Sequence, residues 1–212
     1  MKTTVITVIL FALSFIGIAV CLYFFTDIND EVLIAILIGY ALVFVLGYLL
    51  FVALYCARLG SLFQNGKYDK VIKRSKWILK EFGLKGKSPI GDTVRLMLAS
   101  AYFALNDDET FLTYINQINS KSALYMKSYL LCIYYFVKED TDGFNNEHIN
   151  VFLPLSAQEK NKRGKSEKTL QSEFEETLQL MSIYLNESSK DEMKEKLLER
   201  TNNPRVKEII TS

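Results

Sequence analysis

Polar and apolar positions divide the chain into two regimes. Between Lys2 and Asp27 lie 24 residues without a formal charge, and between Glu31 and Arg58 lie 26, so every charge before Arg58 belongs to Lys2, Asp27, Asp30 or Glu31. Beyond Arg58 the apolar positions recur every three or four residues, the spacing of an amphipathic helix. Tyr68, Val71, Ile72, Ser75, Ile78, Leu79 and Phe82 share one face, which Gly83 stops. Val94, Met97, Leu98, Ala101, Tyr102 and Leu105 repeat the spacing, followed by Phe111, Ile115 and Ile118, and then by Met126, Leu130, Ile133, Tyr134 and Val137. A brief helix is predicted over 146–153, before Pro154. The next stripe is Leu170, Phe174, Leu178, Met181 and Leu185. Ser189 and Glu192 have capping-box spacing ahead of Met193 and Leu197, and Asn203-Pro204 reads as cap and first-turn proline of a last helix. The stretch 156–168 carries five bases and two acids with almost no apolar residue, and is expected to be a mobile basic loop. With almost no strand signal, the fold class is all-α.

At about 1.5 Å of rise per residue each uncharged run makes a helix of roughly 36 to 39 Å, longer than the roughly 30 Å hydrocarbon core of a bilayer. The expectation is a transmembrane helical hairpin over 1–57, with spans at about 3–26 and 32–57 turned by 27–31, and a cytoplasmic α-helical repeat domain over 58–212. The first run is too long for a signal peptide and has no Ala-x-Ala exit; Ile18-Ala19-Val20-Cys21 puts a bulky Val where a lipobox needs a small residue. No strong breaker lies between Glu31 and Asn65, so the second span is expected to continue as the first helix of the domain. Ser14, Gly17, Ala35, Gly39 and Gly47 are the small residues on which the two helices would pack. From Arg58 to Lys87 nine bases face two acids, whereas the hairpin turn holds three acids and no base. Basic flanks are retained inside, so both termini are expected in the cytoplasm. No ionisable side chain lies within either span, which argues against an ion or proton pathway.

Leu59-Gly60-Ser61-Leu62-Phe63-Gln64-Asn65-Gly66-Lys67-Tyr68, followed by Val71 and Ile78, resembles the tetratricopeptide repeat, whose paired helices carry small and aromatic residues at such spacings. Leu98-Ala99-Ser100-Ala101-Tyr102-Phe103-Ala104-Leu105-Asn106 and Leu180-Met181-Ser182-Ile183-Tyr184-Leu185-Asn186 look like further units of a degenerate TPR-like repeat. The step from Asn65 to Asn106 is 41 residues, against about 34 for the family. The resemblance implies stacked helix pairs that hold a protein partner.

Charge and chemistry narrow the function classes. The formal net charge is only +1, from 25 Lys and Arg against 24 Asp and Glu, but it is polarised. Arg58, Lys67, Lys70, Lys73, Arg74, Lys76 and Lys80 form a basic patch suited to anionic headgroups, at about 1 kcal/mol per residue near the surface. From Ser88 to Ala157 four bases face eight acids, a surface suited to a basic or amphipathic partner. Tyr102, Tyr125, Tyr129 and Tyr135 are candidates for a partner groove. Gly83 to Ser88 imitates the end of a phosphate loop, but Glu81 stands where the first Gly belongs and a helix precedes it. His148 is the only histidine and reads as a surface helix residue; three isolated cysteines offer no metal or disulfide frame. The acids Asp107-Asp108-Glu109 and Glu139-Asp140-Asp142 stand in turns and read as caps. No catalytic residues, metal or cofactor are expected, and neither a nucleic-acid nor a small-molecule ligand. A lean toward Lys, Asn, Ile and Phe fits a bacterium, and with it a cytoplasmic membrane. The expected role is a non-enzymatic membrane-anchored adaptor or scaffold holding a protein partner at the cytoplasmic face, the alternative being an accessory subunit or immunity-type inhibitor of a membrane complex recognised through the hairpin.

Overall fold

The structure, a computed structural model, describes residues 30–81, 83–84, 88–160, 165–186, 190–201 and 203–212, with Gly17 and Val20 besides. It is all-helical, and no strand occurs among the described residues. The chain divides into two compact units, 1–86 and 87–212.

The first unit holds α1 (Asp30–Gln64), an unbroken helix of 35 residues, and α2 (Tyr68–Glu81). The apolar run ends at 57, inside α1, and the two compact units part at 86/87. The turn after α1 is made by Gly66 at φ +67°, a conformation that costs a residue without Cβ little. There the Lys67 N–H donates to the Leu62 carbonyl at 3.0 Å and the Gly66 N–H to the Phe63 carbonyl at 2.9 Å, closing the α1 C-terminus. Leu59 of α1 and Val71, Ser75 and Ile78 of α2 are buried. Val71, Ser75 and Ile78 are spaced four and three residues apart, so one stripe of α2 supplies its inner face.

The second unit runs α3 (Pro89–Ala104), α4 (Asp108–Ile115), α5 (Lys121–Val137), α6 (Thr141–Glu147), a π-helical turn (His148–Phe152), α7 (Leu153–Lys160), α8 (Lys165–Asn186), α9 (Lys190–Arg200) and α10 (Pro204–Thr211). Its core gathers Phe103, Phe111, Phe136, Phe144, Phe152, Leu178, Met181, Leu197, Val206 and Ile210, all essentially without exposure. The caps expected from the turns are in place. Asp107 accepts from the Thr110 N–H at 3.1 Å, Asp140 from the Gly143 N–H at 2.9 Å, and Asn203 from the Arg205 N–H at 3.1 Å. Ser88, the last residue of the phosphate-loop lookalike, accepts from the Gly91 N–H at 3.3 Å and is the N-cap of α3, with Pro89 in its first turn.

Several expectations change. The mobile basic loop over 156–168 is helical at both ends: 153–160 belong to α7 and 165–168 to α8, while 161–164 lie outside the described residues. Ala, Gln, Glu and Lys propagate a helix well without being apolar, so the lack of an apolar stripe concealed it. Ser156 is buried, and its hydroxyl donates to Glu175 on α8. His148 is not on the surface but 9% exposed, its ring between Phe144 and Phe152 at 5.5 and 6.0 Å. The first span, Ser14 and the turn at 27–29 lie outside the described residues, apart from Gly17 and Val20. Among the described residues no helix is long and apolar enough to cross a membrane. Ala35, Gly39 and Gly47 are exposed, and a Cβ built at Gly17, Gly39 or Gly47 meets no described atom within 4 Å, so the helix packing expected on these residues is not seen among the described residues.

Candidate functional site

Each unit has a concave surface lined in part by polar groups. In the second unit a groove of about 420 Å³ runs between α5, which contributes Leu124, Lys127, Ser128 and Leu131, and the helix opposite, which contributes Glu147, Asn150, Val151, Pro154 and Leu155. The local geometry follows from Pro154. A proline in the second turn of an ordinary α-helix presses its ring on the carbonyl four residues back and offers no N–H. Here the helix widens just before it: the Leu153 N–H donates to the His148 carbonyl five residues back, which defines the π turn. Val151, at 37% exposure, stands on the apolar rim of the groove, while Ile149 and Leu153, at 57 and 41%, do not line it.

The groove floor holds an unsatisfied group. Ser128 is 1% exposed and its hydroxyl has no hydrogen-bond partner, a state that costs roughly 1–3 kcal/mol until a ligand or partner supplies one. Lys127 donates to the Ile118 carbonyl at 3.2 Å, which ties the start of α5 to the loop before it. The arrangement offers an apolar trough with the buried Ser128 hydroxyl, Glu147, Lys127 and Asn150 as its polar lining. Behind it, burial pushes the Cys132 thiol well above the ordinary thiol range, so it stays protonated and packs as an apolar group. Among the described residues no three metal-ligating side chains converge.

The four tyrosines expected to line one groove are not brought together. Tyr125 is 3% exposed and stacks on Phe152 at 5.0 Å; Tyr129 stacks on Phe174 at 4.3 Å, and burial raises its hydroxyl far above the usual tyrosine value. Both are core residues joining α5 to the π turn and α8. Tyr102 stacks on Tyr114 at 5.8 Å between α3 and α4, and Tyr135 lies edge-on to Tyr134 at 5.5 Å. Aromatic density in α5 is thus absorbed by packing, because α5 meets neighbours on several sides. The groove lies instead on the face of Leu124, Ser128 and Leu131, opposite Asn150, Val151 and Pro154.

In the first unit Lys70, Lys73, Arg74 and Trp77 of α2, with Tyr55 of α1, line a second cavity of about 380 Å³. Tyr55 and Trp77 stack with centroids 5.8 Å apart. Of the expected basic patch the fold brings together Lys70, Lys73 and Arg74; Arg58, Lys67, Lys76 and Lys80 do not line this cavity, and all but Arg74 are exposed. Comparison of the chain with protein-family models, with characterised proteins and with solved structures found no match.

Proposed function

We propose that the protein is a membrane-anchored, TPR-like helical adaptor, with α1 in the bilayer and the groove of the second unit holding an amphipathic segment of a protein partner at the cytoplasmic face. The observation that carries the reading is the surface of α1. Val32, Ile34, Ile38, Leu42, Val43, Val45, Leu46 and Leu54 are each 50% exposed or more and point outward over about half of the helix circumference. A helix apolar all round needs either protein or lipid about it. The 26 residues from Val32 to Ala57 carry no charge in the sequence and meet the length a crossing needs. The nine bases that follow support an inward orientation. The groove's apolar rim, Glu147 and the unpartnered Ser128 hydroxyl suit an amphipathic helix that carries a base and a hydrogen-bonding side chain.

The open ridge at Ala35, Gly39 and Gly47 favours the second reading, an accessory subunit or immunity-type inhibitor whose partner helix packs on α1. One experiment separates the two. A photo-crosslinker replaces Val151 in the full chain in native membranes, and residues 1–57 are then exchanged for an unrelated two-span anchor. An adaptor keeps the same crosslinked partner after the exchange, whereas loss of the adduct favours recognition through α1. Labelling that finds the C-terminus outside intact cells, or a full chain that stays soluble without detergent, removes the anchored reading altogether.

A further inference from the structure

Lys70, Lys73, Arg74 and Trp77 recur at positions i, i+3, i+4 and i+7 of α2, so they share one face, turned away from the stripe of Val71, Ser75 and Ile78 that is buried. Three cations side by side repel one another unless an anion sits among them. Among the described residues none of the three makes an ion pair, and the Arg74 Nη1 is buried without any hydrogen-bond partner. A desolvated guanidinium nitrogen left without an acceptor is costly, and phosphate oxygens in its plane would satisfy it in bidentate fashion. We infer that the cavity between Tyr55 and the Lys70, Lys73, Arg74 and Trp77 face of α2 binds the phosphate of an anionic phospholipid headgroup.

The choice of lipid rests on the anchored reading of α1. From Val32 to Tyr55 the helix rises about 35 Å, just past a hydrocarbon core of about 30 Å, which puts Tyr55 at headgroup level when α1 spans. Trp77 is 40% exposed and stacks on Tyr55, and stacked amphipathic rings are at home at that depth. The cavity therefore offers two cationic amines and a guanidinium fork for the phosphate, and an indole and a phenol for the glycerol region, within a volume suited to a small ligand.

Trp77 is the only tryptophan of the chain, so its emission reads this cavity alone. The full chain is reconstituted with vesicles of phosphatidylcholine and then titrated with phosphatidylglycerol, while flotation follows association separately. The expected result is a saturable change in Trp77 emission, with half-saturation raised about tenfold or more in Arg74→Gln. Arg74→Lys, which keeps the charge and loses the fork, should fall between the two, and circular dichroism verifies that each variant is as helical as the parent. Lys67→Gln with Lys80→Gln removes two charges off the cavity and should weaken binding by only about threefold, the long-range share. If that pair costs as much as Arg74→Gln, the attraction is diffuse and the site is overturned. Inorganic phosphate giving the same saturable change in detergent micelles overturns the lipid as occupant. A chain that floats but whose Trp77 ignores phosphatidylglycerol loses the site and keeps the anchor; a chain that fails to float with phosphatidylcholine loses the anchor, and the lipid with it.

Discussion

Asp92 is fully buried, a state that costs free energy unless the surroundings supply matched donors. They do: Arg95 reaches it at 2.7 Å, and the backbone N–H groups of Ser120 and Asn119 donate to it at 2.7 and 3.1 Å. Burial alone would raise its carboxyl; the donors from Ser120, Asn119 and Arg95 outweigh burial and hold it below the ordinary value of 3.8. Asp92→Ala strips the loop between α4 and α5 of its acceptor and Arg95 of its counter-charge, and should destabilise the second unit by about 3 kcal/mol, read as a lower midpoint in urea. His148 titrates in the opposite sense to a paired histidine. Burial lowers its pKa, and the charge of Glu175 only partly restores it, so the folded value lies below 6.5. Below pH 6.5 the unfolded chain takes up a proton that the folded chain refuses, so this stability is complete above 6.5 and is lost as pH falls through that region. Melting temperatures measured between pH 7.5 and about 4.5 should therefore fall less in His148→Phe than in the parent; parallel curves would show that His148 does not titrate in this way. Little of this was legible. Nothing in the residue spacing singles out Asp92, and His148, beside Asn146 and Glu147, has a surface helix's neighbours. His148 faces inward because it stands one α-helical turn after the buried Phe144, on the same side of the helix.

Elements were far more legible than their partners. Stripes of apolar residues at helical spacing located α2, α3, α4, α5, α8 and α10, because burial on one face leaves that period in the sequence. Stops are legible where the chemistry is local, as at Gly83, which like Gly66 sits at positive φ. They are less so at Asn106 and Glu139, which adopt the same left-handed conformation at φ 62° and 54° without being glycine. What no periodicity reveals is which elements meet. Arg205 at the start of α10 lies over the Phe103 ring at 4.3 Å, donates to the Phe103 carbonyl at 3.3 Å and pairs with Asp108, nearly a hundred residues earlier. Burial would raise the Asp108 carboxyl, but Arg205 and Lys138 together hold it below its usual range. This clamp fastens the last helix to α3 and the N-terminus of α4. Arg205→Ala should cost about 2–3 kcal/mol through lost packing on the ring and the stranded carbonyl. Arg205→Lys should recover less than half of that, since an ammonium cannot lie flat on the ring while reaching both acceptors. Equal stability of the Lys variant and the parent, by chemical denaturation, would reduce the clamp to net charge.

At the scale of the whole molecule, apolar surface is partitioned unequally between the units. The second unit folds its large side chains inward around Phe103, Phe111, Phe136, Phe144 and Phe152, whereas α1 of the first carries Leu42, Val43 and Leu46 at 57, 70 and 64% exposure. Hydrophobic burial stabilises at about 25 cal/mol per Å² removed from water, so a core of that kind is self-sufficient in water and a helix like α1 is not. The helices and their interiors follow from that one-sided accounting, but the groove beside Ser128 does not, since no apolar period marks the π turn that lines it. The partition leads to a prediction that neither unit's local structure makes alone. Residues 87–212, excised from the chain, should stay in solution without detergent and unfold in a single cooperative transition, coincident by far-UV circular dichroism and by tyrosine fluorescence. The full chain should sediment without detergent and float with vesicles. If the excised unit instead binds hydrophobic dye and melts without cooperativity, its core depends on the first unit, and the division at 86/87 is one of contacts and not of stability.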